Sequence, residues 1–322
     1  MTRRRTPTWA VGATAWAACV VLAAGLIVLG AGLLTPPGVA PSRTEALARP
    51  AQPAPTATRP PAPTRHTAQA VAVTDGALGP PPGPQYDPPP AHIAAPADRY
   101  ALVVGLSAYH APTHPTVAGA DDARLVAAQL LQDGWLPQHI RVLTEDQATG
   151  SALRSGLDWL AGKGAAGTFS YFHFSGHVKQ EGGQEKLWPV DHDFVTDSEV
   201  ATAMHRVGGH LWMDIAGCEG GGFLEDLPSD RVLVSASSRQ TQKSYEYPQW
   251  HASVWTGLVF QIGTAQLAAD ADHDGRVTMG EALRYATYYA QVVTLKQSPY
   301  RRQTPQVAGD PVRGWTLAGP PA

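Results

Sequence analysis

Two short segments about forty residues apart set the strongest limits on how this chain folds: Tyr171-Phe-His-Phe-Ser-Gly-His177 and Trp212-Met-Asp-Ile-Ala-Gly-Cys218-Glu-Gly-Gly-Gly-Phe223. Each reads as a hydrophobic strand that runs into a glycine-rich turn. Two neighbouring parallel strands bring His177 and Cys218 to one edge of a sheet. That edge, at the C-terminal ends of the strands, is where open α/β folds carry their chemistry. A thiol beside an imidazole is the minimal apparatus for nucleophilic cysteine chemistry, because the imidazole can take the thiol proton. Taken singly, each residue has a plainer reading. A turn histidine is often just hydrogen-bonded, and a free cysteine often behaves as an inert small hydrophobe. Their occurrence together, at successive strand ends, favours a reactive pair.

The surrounding sequence alternates two periodicities. Strand patterns fall near 100–105, 140–144, 168–174, 210–215 and 231–236, and helix patterns near 121–133, 151–161, 197–206, 251–262 and 280–291. That alternation predicts one α/β domain over 99–322, with a mainly parallel sheet and helices on both faces. This part holds 17 Lys plus Arg against 23 Asp plus Glu, and its cations form no stripe, which argues against a nucleic-acid partner.

The first 98 residues differ in kind. Residues 1–8 include Arg3, Arg4 and Arg5, and the 26 residues from Trp9 to Leu34 carry no charge. A membrane-spanning helix needs about 20 residues, so 9–34 is expected to be a transmembrane signal anchor. The flanking arginines keep residues 1–8 in the cytoplasm and turn the folded domain to the extracytoplasmic side. A cleaved signal peptide, releasing a secreted domain, is the rival reading; its apolar core is normally about 7–15 residues. Residues 35–98 are rich in Pro, Ala and Thr, cannot bury enough apolar surface to fold, and read as an extended, disordered linker. Of the two cysteines, Cys19 lies in the apolar segment, so the folded domain has one thiol and no internal disulfide. A lone cysteine in an exported domain reads as reactive.

A second pattern spans residues 270–281. Asp270, Asp272 and Asp274 occupy positions 1, 3 and 5 of a twelve-residue EF-hand loop, Gly275 the sixth, Arg276 the seventh and Glu281 the twelfth. Hard oxygen donors suit Ca²⁺, Arg276 offers its carbonyl, and Glu281 closes the shell. The plain alternative is an acidic surface turn.

The ordered set of segments resembles the caspase and metacaspase family of cysteine peptidases. Ser175-Gly-His177 and Asp214…Cys218-x-Gly-Gly-Gly are similar to its Ser-Gly-His-Gly and Asp-x-Cys-x-Ser-Gly-Gly motifs. Tyr100–Leu106 resembles its first strand, Gly119-Ala-Asp-Asp-Ala123 the start of its first helix, and Leu187-Trp-Pro-Val-Asp191 the segment after the histidine turn. Val232–Ser237 with Gln242 and Glu246 resembles the strand and loop after the cysteine. Arg302-Gln-Thr-Pro-Gln306 resembles the closing segment of bacterial relatives.

The resemblance implies a caspase-like three-layer sandwich and an endopeptidase acting on protein or peptide substrates. Cys218 would attack the scissile carbonyl, His177 would act as base and then acid, and the Val178 and Cys218 N–H groups would bind the oxyanion. It also implies calcium dependence and cleavage after a basic residue, with Asp214 and Glu246 as the carboxylates that meet it. The aspartate preference of caspases would need an arginine, and Arg239 is the cation near the matching loop.

Two positions depart from the family. Val178 stands where it has glycine, and its β-branch restricts the backbone and crowds the approach. Three residues, Ile215, Ala216 and Gly217, separate Asp214 from Cys218 where the family has one. Aligned on Asp214, the nucleophile position falls on Ala216 and the site is dead. Aligned on the glycine run, Cys218 is in place, and the glycines suit a turn whose amides approach a substrate. The second alignment is preferred on the glycine run, and the first stays open. With the first comes a different function, an inactive caspase-fold module that binds Ca²⁺ and a partner.

Overall fold

The computed structural model describes residues 96–225, 227, 231–298, 300–309 and 316–318. The chain divides into two units, 1–65 and 66–322, and every described residue belongs to the second. The expected anchor at 9–34 and nearly all of the 35–98 linker lie outside the described residues. Among the described residues no helix is long and apolar enough to cross a membrane.

In chain order the elements are β1 (Arg99–Gly105), α1 (Gly119–Gln132), β2 (Ile140–Thr144), α2 (Gly150–Lys163) and β3 (Phe169–Ser175). Next come β4 (Val178–Glu181), β5 (Gln184–Leu187), β6 (Val195–Thr196), α3 (Asp197–Met204), β7 (His210–Ala216) and β8 (Val232–Ala236). The remainder are β9 (Glu246–Tyr247), β10 (Ala252–Ser253), α4 (Val254–Thr256) running into a π-helix (Gly257–Thr264), β11 (Val277–Thr278), α5 (Met279–Gln297), β12 (Gln306–Ala308) and β13 (Thr316–Ala318). A six-stranded sheet has the order β12-β8-β7-β3-β1-β2. Five strands are parallel, and β12 pairs antiparallel at one edge. From β1 the chain winds first to β2, then crosses back to β3, β7 and β8. That reversal beside β1 opens a crevice at the C-terminal strand ends.

Strand alternation assigns side chains to two cores. Ala101 and Val103 share one cluster with Val126 and Leu130 of α1, Trp255 of α4, Phe260 of the π-helix and Tyr285 of α5. Leu102 and Val104 share the other with Leu153 and Leu157 of α2 and Val200 and Met204 of α3. Successive residues point to opposite faces, so a strand apolar on both faces needs helices on both. Fully burying one Leu- or Phe-sized side chain contributes about 1.5–3 kcal/mol. The expected α/β sandwich, with a mainly parallel sheet and helices on both faces, is the observed architecture.

The helix starts follow from local chemistry. Thr149 caps α2 by accepting from the Ala152 N–H, and Thr196 with Glu199 forms a capping box at α3. One expected helix, 251–262, differs. His251 adopts a left-handed φ of 51°, and Ala252–Ser253 pair with Glu246–Tyr247 instead. Ser253 then caps the helix by accepting from the Thr256 N–H. The β4–β5–β6 meander and the β12 edge were not anticipated. Their strands are short and mostly polar or exposed, and they lack the apolar runs that mark the central sheet.

Candidate active site

β3 and β7 lie in register, with Ser175 opposite Ala216. His177 and Cys218 therefore occupy the same step, two residues beyond the paired ends. The Gly176 N–H donates to the Ala216 carbonyl at 3.2 Å and ties the two turns together. Their close approach requires Gly217, because a Cβ there would stand 2.7 Å from Val178 Cγ2 and 2.9 Å from the Gly176 carbonyl oxygen. From the other side the Ser237 hydroxyl sits 3.0 Å from both the N–H and the C=O of Gly217.

His177 and Cys218 line one cavity of about 370 Å³. Its walls include Thr116 and Val117 from the loop after β1, Ser175, Ser244, Glu246 and Ser253. The His177 ring has a fixed tautomer. Its Nε2 lies 2.8 Å from the main-chain carbonyl of His114. A carbonyl only accepts, so Nε2 carries the proton and a neutral ring presents its lone pair at Nδ1. The His177 N–H donates to the Tyr109 hydroxyl at 2.8 Å, and the two rings pack tilted with centroids 4.7 Å apart. No sequence signal marks a main-chain carbonyl as the partner of this imidazole.

Cys218 is half-buried. Its sulfur accepts from the Ser244 N–H at 3.4 Å, and its S–H points toward the Ser244 carbonyl at 3.8 Å. Burial pushes the thiol pKa above its ordinary value of 9.0; the Ser244 N–H and the Lys243 charge oppose the rise without cancelling it. A raised pKa means a smaller thiolate fraction at neutral pH. Iodoacetamide is therefore expected to alkylate the resting protein at pH 7 more slowly than free cysteine, with a rate that rises with pH and levels off later than that of free cysteine. Fast alkylation at pH 7 by mass spectrometry would contradict this picture of a protonated resting thiol.

The loops around the cysteine explain several quoted residues. The Gln242 side-chain oxygen accepts from the Thr304 N–H at 2.9 Å, and the Gln303 side-chain oxygen accepts from the Tyr245 N–H at 2.9 Å. The closing segment thus braces the loop that carries Ser244. The glycine run serves packing rather than substrate approach. A Cβ on Gly222 would overlap the buried Glu185 carboxylate, and one on Gly221 would stand 2.7 Å from the Gln240 nitrogen.

The remaining site residues separate. Val178 is 7% exposed, and its side chain packs in the α2 core. The branch that seemed to crowd the approach instead fills the space that Gly217 leaves. The Trp188 N–H donates to the His177 carbonyl, so the ladder alternation turns the Val178 N–H away from β5. Glu246 lines the cavity and accepts from the N–H groups of Val117 and Ala118 at 2.7–2.9 Å.

Asp214 does not reach the cavity. It is 0% exposed and accepts from Ser235 Oγ at 2.6 Å, Trp255 Nε1 at 2.7 Å and His173 Nδ1 at 2.9 Å. Its expected role as a substrate carboxylate is corrected: it faces inward from the strand, two residues short of its end. Arg239 is exposed and outside the cavity wall.

A different acid lies under the cavity. Asp122 of α1 is 0% exposed and accepts from Ser175 Oγ at 2.6 Å and the Ser253 N–H at 2.9 Å. Both serines line the cavity. Burial pushes the Asp122 carboxyl up. Sequence reasoning had noted Gly119-Ala-Asp-Asp-Ala123 as a helix start and missed this position.

In the 270–281 loop the carboxylates of Asp270, Asp272 and Asp274 lie within 4.8 Å of one another, and Gly275 takes a left-handed φ of 80°. The Arg276 N–H donates to Asp274 at 2.8 Å. Glu281 is not one of that trio. It accepts from Thr278 and from the Ala271 N–H, forming the capping box of α5. The Thr278-x-x-Glu281 spacing announced that second role as clearly as the first.

Comparison with known proteins agrees with this architecture. Residues 98–297 match the model of the caspase domain family, which is more than half of the chain. No curated protein matches. A crystal structure of a protein from Geobacter sulfurreducens is similar at a TM-score of 0.47 and 14% identity, over 66% of this chain and 94% of that one. The family match covers the five parallel strands, both strand-end turns and α5, and on that ground the chain belongs to the caspase domain family.

Proposed function

We propose that this chain is a cysteine endopeptidase with Cys218 and His177 as its dyad. The observation that carries the reading is their shared cavity. In it a thiol and an imidazole with Nε2 already bonded stand at the ends of neighbouring strands. In the first step the thiol proton passes to His177 Nδ1 as Sγ bonds to the scissile carbonyl carbon. The imidazolium then returns the proton to the leaving amine, and the C–N bond breaks to leave a thioester. Water, deprotonated by the same Nδ1, hydrolyses it. Because the resting thiol is protonated, proton transfer accompanies attack rather than preceding it. The Cys218 and Val178 N–H groups bind the oxyanion, a reading helped by the inward turn of the Val178 side chain. Cleavage of fluorogenic peptides ending in Arg, Lys or Asp by the full chain, beside Cys218→Ala, is the test.

A basic residue before the cut suits the two carboxylates nearest the cavity, Glu246 on its wall and Asp122 beneath Ser175 and Ser253. A guanidinium or ammonium at the floor meets the Asp122 carboxylate in a charge-assisted hydrogen bond. Asp122→Asn is expected to lower kcat/KM for Arg and Lys peptides roughly 30-fold, the value of one charge-assisted hydrogen bond of about 2 kcal/mol. Unchanged cleavage of basic peptides would remove Asp122 from the specificity reading.

Calcium belongs to the same proposal. The aspartate trio and the Arg276 carbonyl fit a hard dication, whereas Glu281 is engaged at the helix start. A site with that donor set binds weakly, about 10⁻⁴–10⁻³ M. Calorimetric titration with Ca²⁺ is expected to give such a value and to lose the heat in Asp270→Asn; a parent protein with no binding heat leaves a plain acidic turn. An inactive interaction module is the second reading, favoured by the raised thiol pKa. A folded protein without Cys218-dependent cleavage would select it.

A further inference from the structure

We infer that Tyr109 is a positioning residue for His177, and that the loop between β1 and α1 presets the imidazole. The inference rests on the dyad reading above. Three contacts reach His177 from this one loop. The Tyr109 hydroxyl accepts the His177 N–H at 2.8 Å, the Tyr109 ring packs tilted against the imidazole at 4.7 Å and 40°, and the His114 carbonyl takes Nε2 at 2.8 Å. Together they hold the main chain, the ring plane and the tautomer. The preceding residue is shaped to admit the phenol, since a Cβ on Gly176 would stand 2.5 Å from the Tyr109 oxygen.

A positioning group is useful only if it is itself held. The Ser107 and Ala108 N–H groups donate to Glu145 at 3.1 and 2.8 Å, on the near side of Tyr109. The His110 N–H donates to the Val190 carbonyl at 3.3 Å, and the Thr116 hydroxyl to the Leu106 carbonyl at 2.7 Å. At the far end the Val117 and Ala118 N–H groups are bound by Glu246. The loop is thus tied on both sides of the tyrosine. Without the hydroxyl, the His177 N–H loses its acceptor and the ring keeps one polar contact, the His114 carbonyl. On the dyad reading, a rotated ring no longer offers Nδ1 to the thiol.

The test uses the full chain carrying Tyr109→Phe, which keeps the ring against the imidazole and removes only the hydroxyl. Its kcat on a fluorogenic peptide is expected to fall about tenfold with KM within twofold, since small misplacement of a catalytic group acts on the chemical step. NMR should report an Nε2–H tautomer of His177 in the parent, and nuclear Overhauser contacts of its ring that change in Tyr109→Phe, at similar melting temperatures. A variant with parent kcat and unchanged ring contacts overturns the inference, as does a fall in melting temperature with no change in those contacts. A parent that cleaves nothing, paired with changed ring contacts in Tyr109→Phe, defeats the dyad reading alone and supports the positioning role.

Discussion

Cys218→Ala is expected to abolish peptide cleavage, a loss of about 10⁴-fold or more in kcat, while the protein unfolds at nearly the parent temperature. The two halves of that expectation have separate physical grounds. The nucleophile forms the covalent bond, and no other thiol lies among the described residues. Its structural contribution is small. The sulfur makes one contact of 3.4 Å with the Ser244 N–H and one of 3.8 Å with the Ser244 carbonyl, and half-burial leaves that N–H reachable by water. Losing such a contact costs about 1 kcal/mol or less. Measured cleavage and calorimetric melting on the same preparation separate the effects. Residual activity near the parent level would place the nucleophile elsewhere and end the dyad reading.

Asp214→Ala is expected to do the opposite, destabilising the domain by about 3–5 kcal/mol because removing one partner strands the others in a dry interior. The carboxylate receives the Ser235 hydroxyl, the Trp255 indole N–H and the His173 ring nitrogen, all within 2.9 Å, and Tyr171 stands at 3.5 Å. These groups come from β3, β7, β8 and α4, so one deletion unpicks a hub joining the sheet to the helix above it. Urea unfolding would measure the loss. A variant of parent stability with a raised KM for basic peptides would return Asp214 to the substrate-binding role that its motif suggested.

Asp214 also illustrates what motif reading obscures. Residues 210–215 were expected to form a strand, and Asp214 sits inside it, on the same face as Trp212. Its burial was therefore legible from alternation alone. Attention to the family's Asp-x-Cys spacing drew it toward the cleft instead. The helices expected near 197–206 and 280–291 are present, each started by a Thr-x-x-Glu capping box at 196 and 278. The short polar strands of the β4–β6 meander carried no comparable signal. Their pairing depends on chain returning from the histidine turn rather than on any run of apolar residues.

By itself the sequence determined the α/β class, the order of the central elements and the two turns that carry His177 and Cys218. Those features are local: apolar runs, glycine turns and caps act within a few residues of where they are written. Only the tertiary structure decided which groups surround them. The His114 carbonyl, the Tyr109 hydroxyl, the Ser244 N–H and the Asp122 carboxylate reach the site from two loops and a helix. Strand register and layer packing bring them within hydrogen-bonding distance, and no spacing along the chain encodes a contact between residues 63 or 68 positions apart.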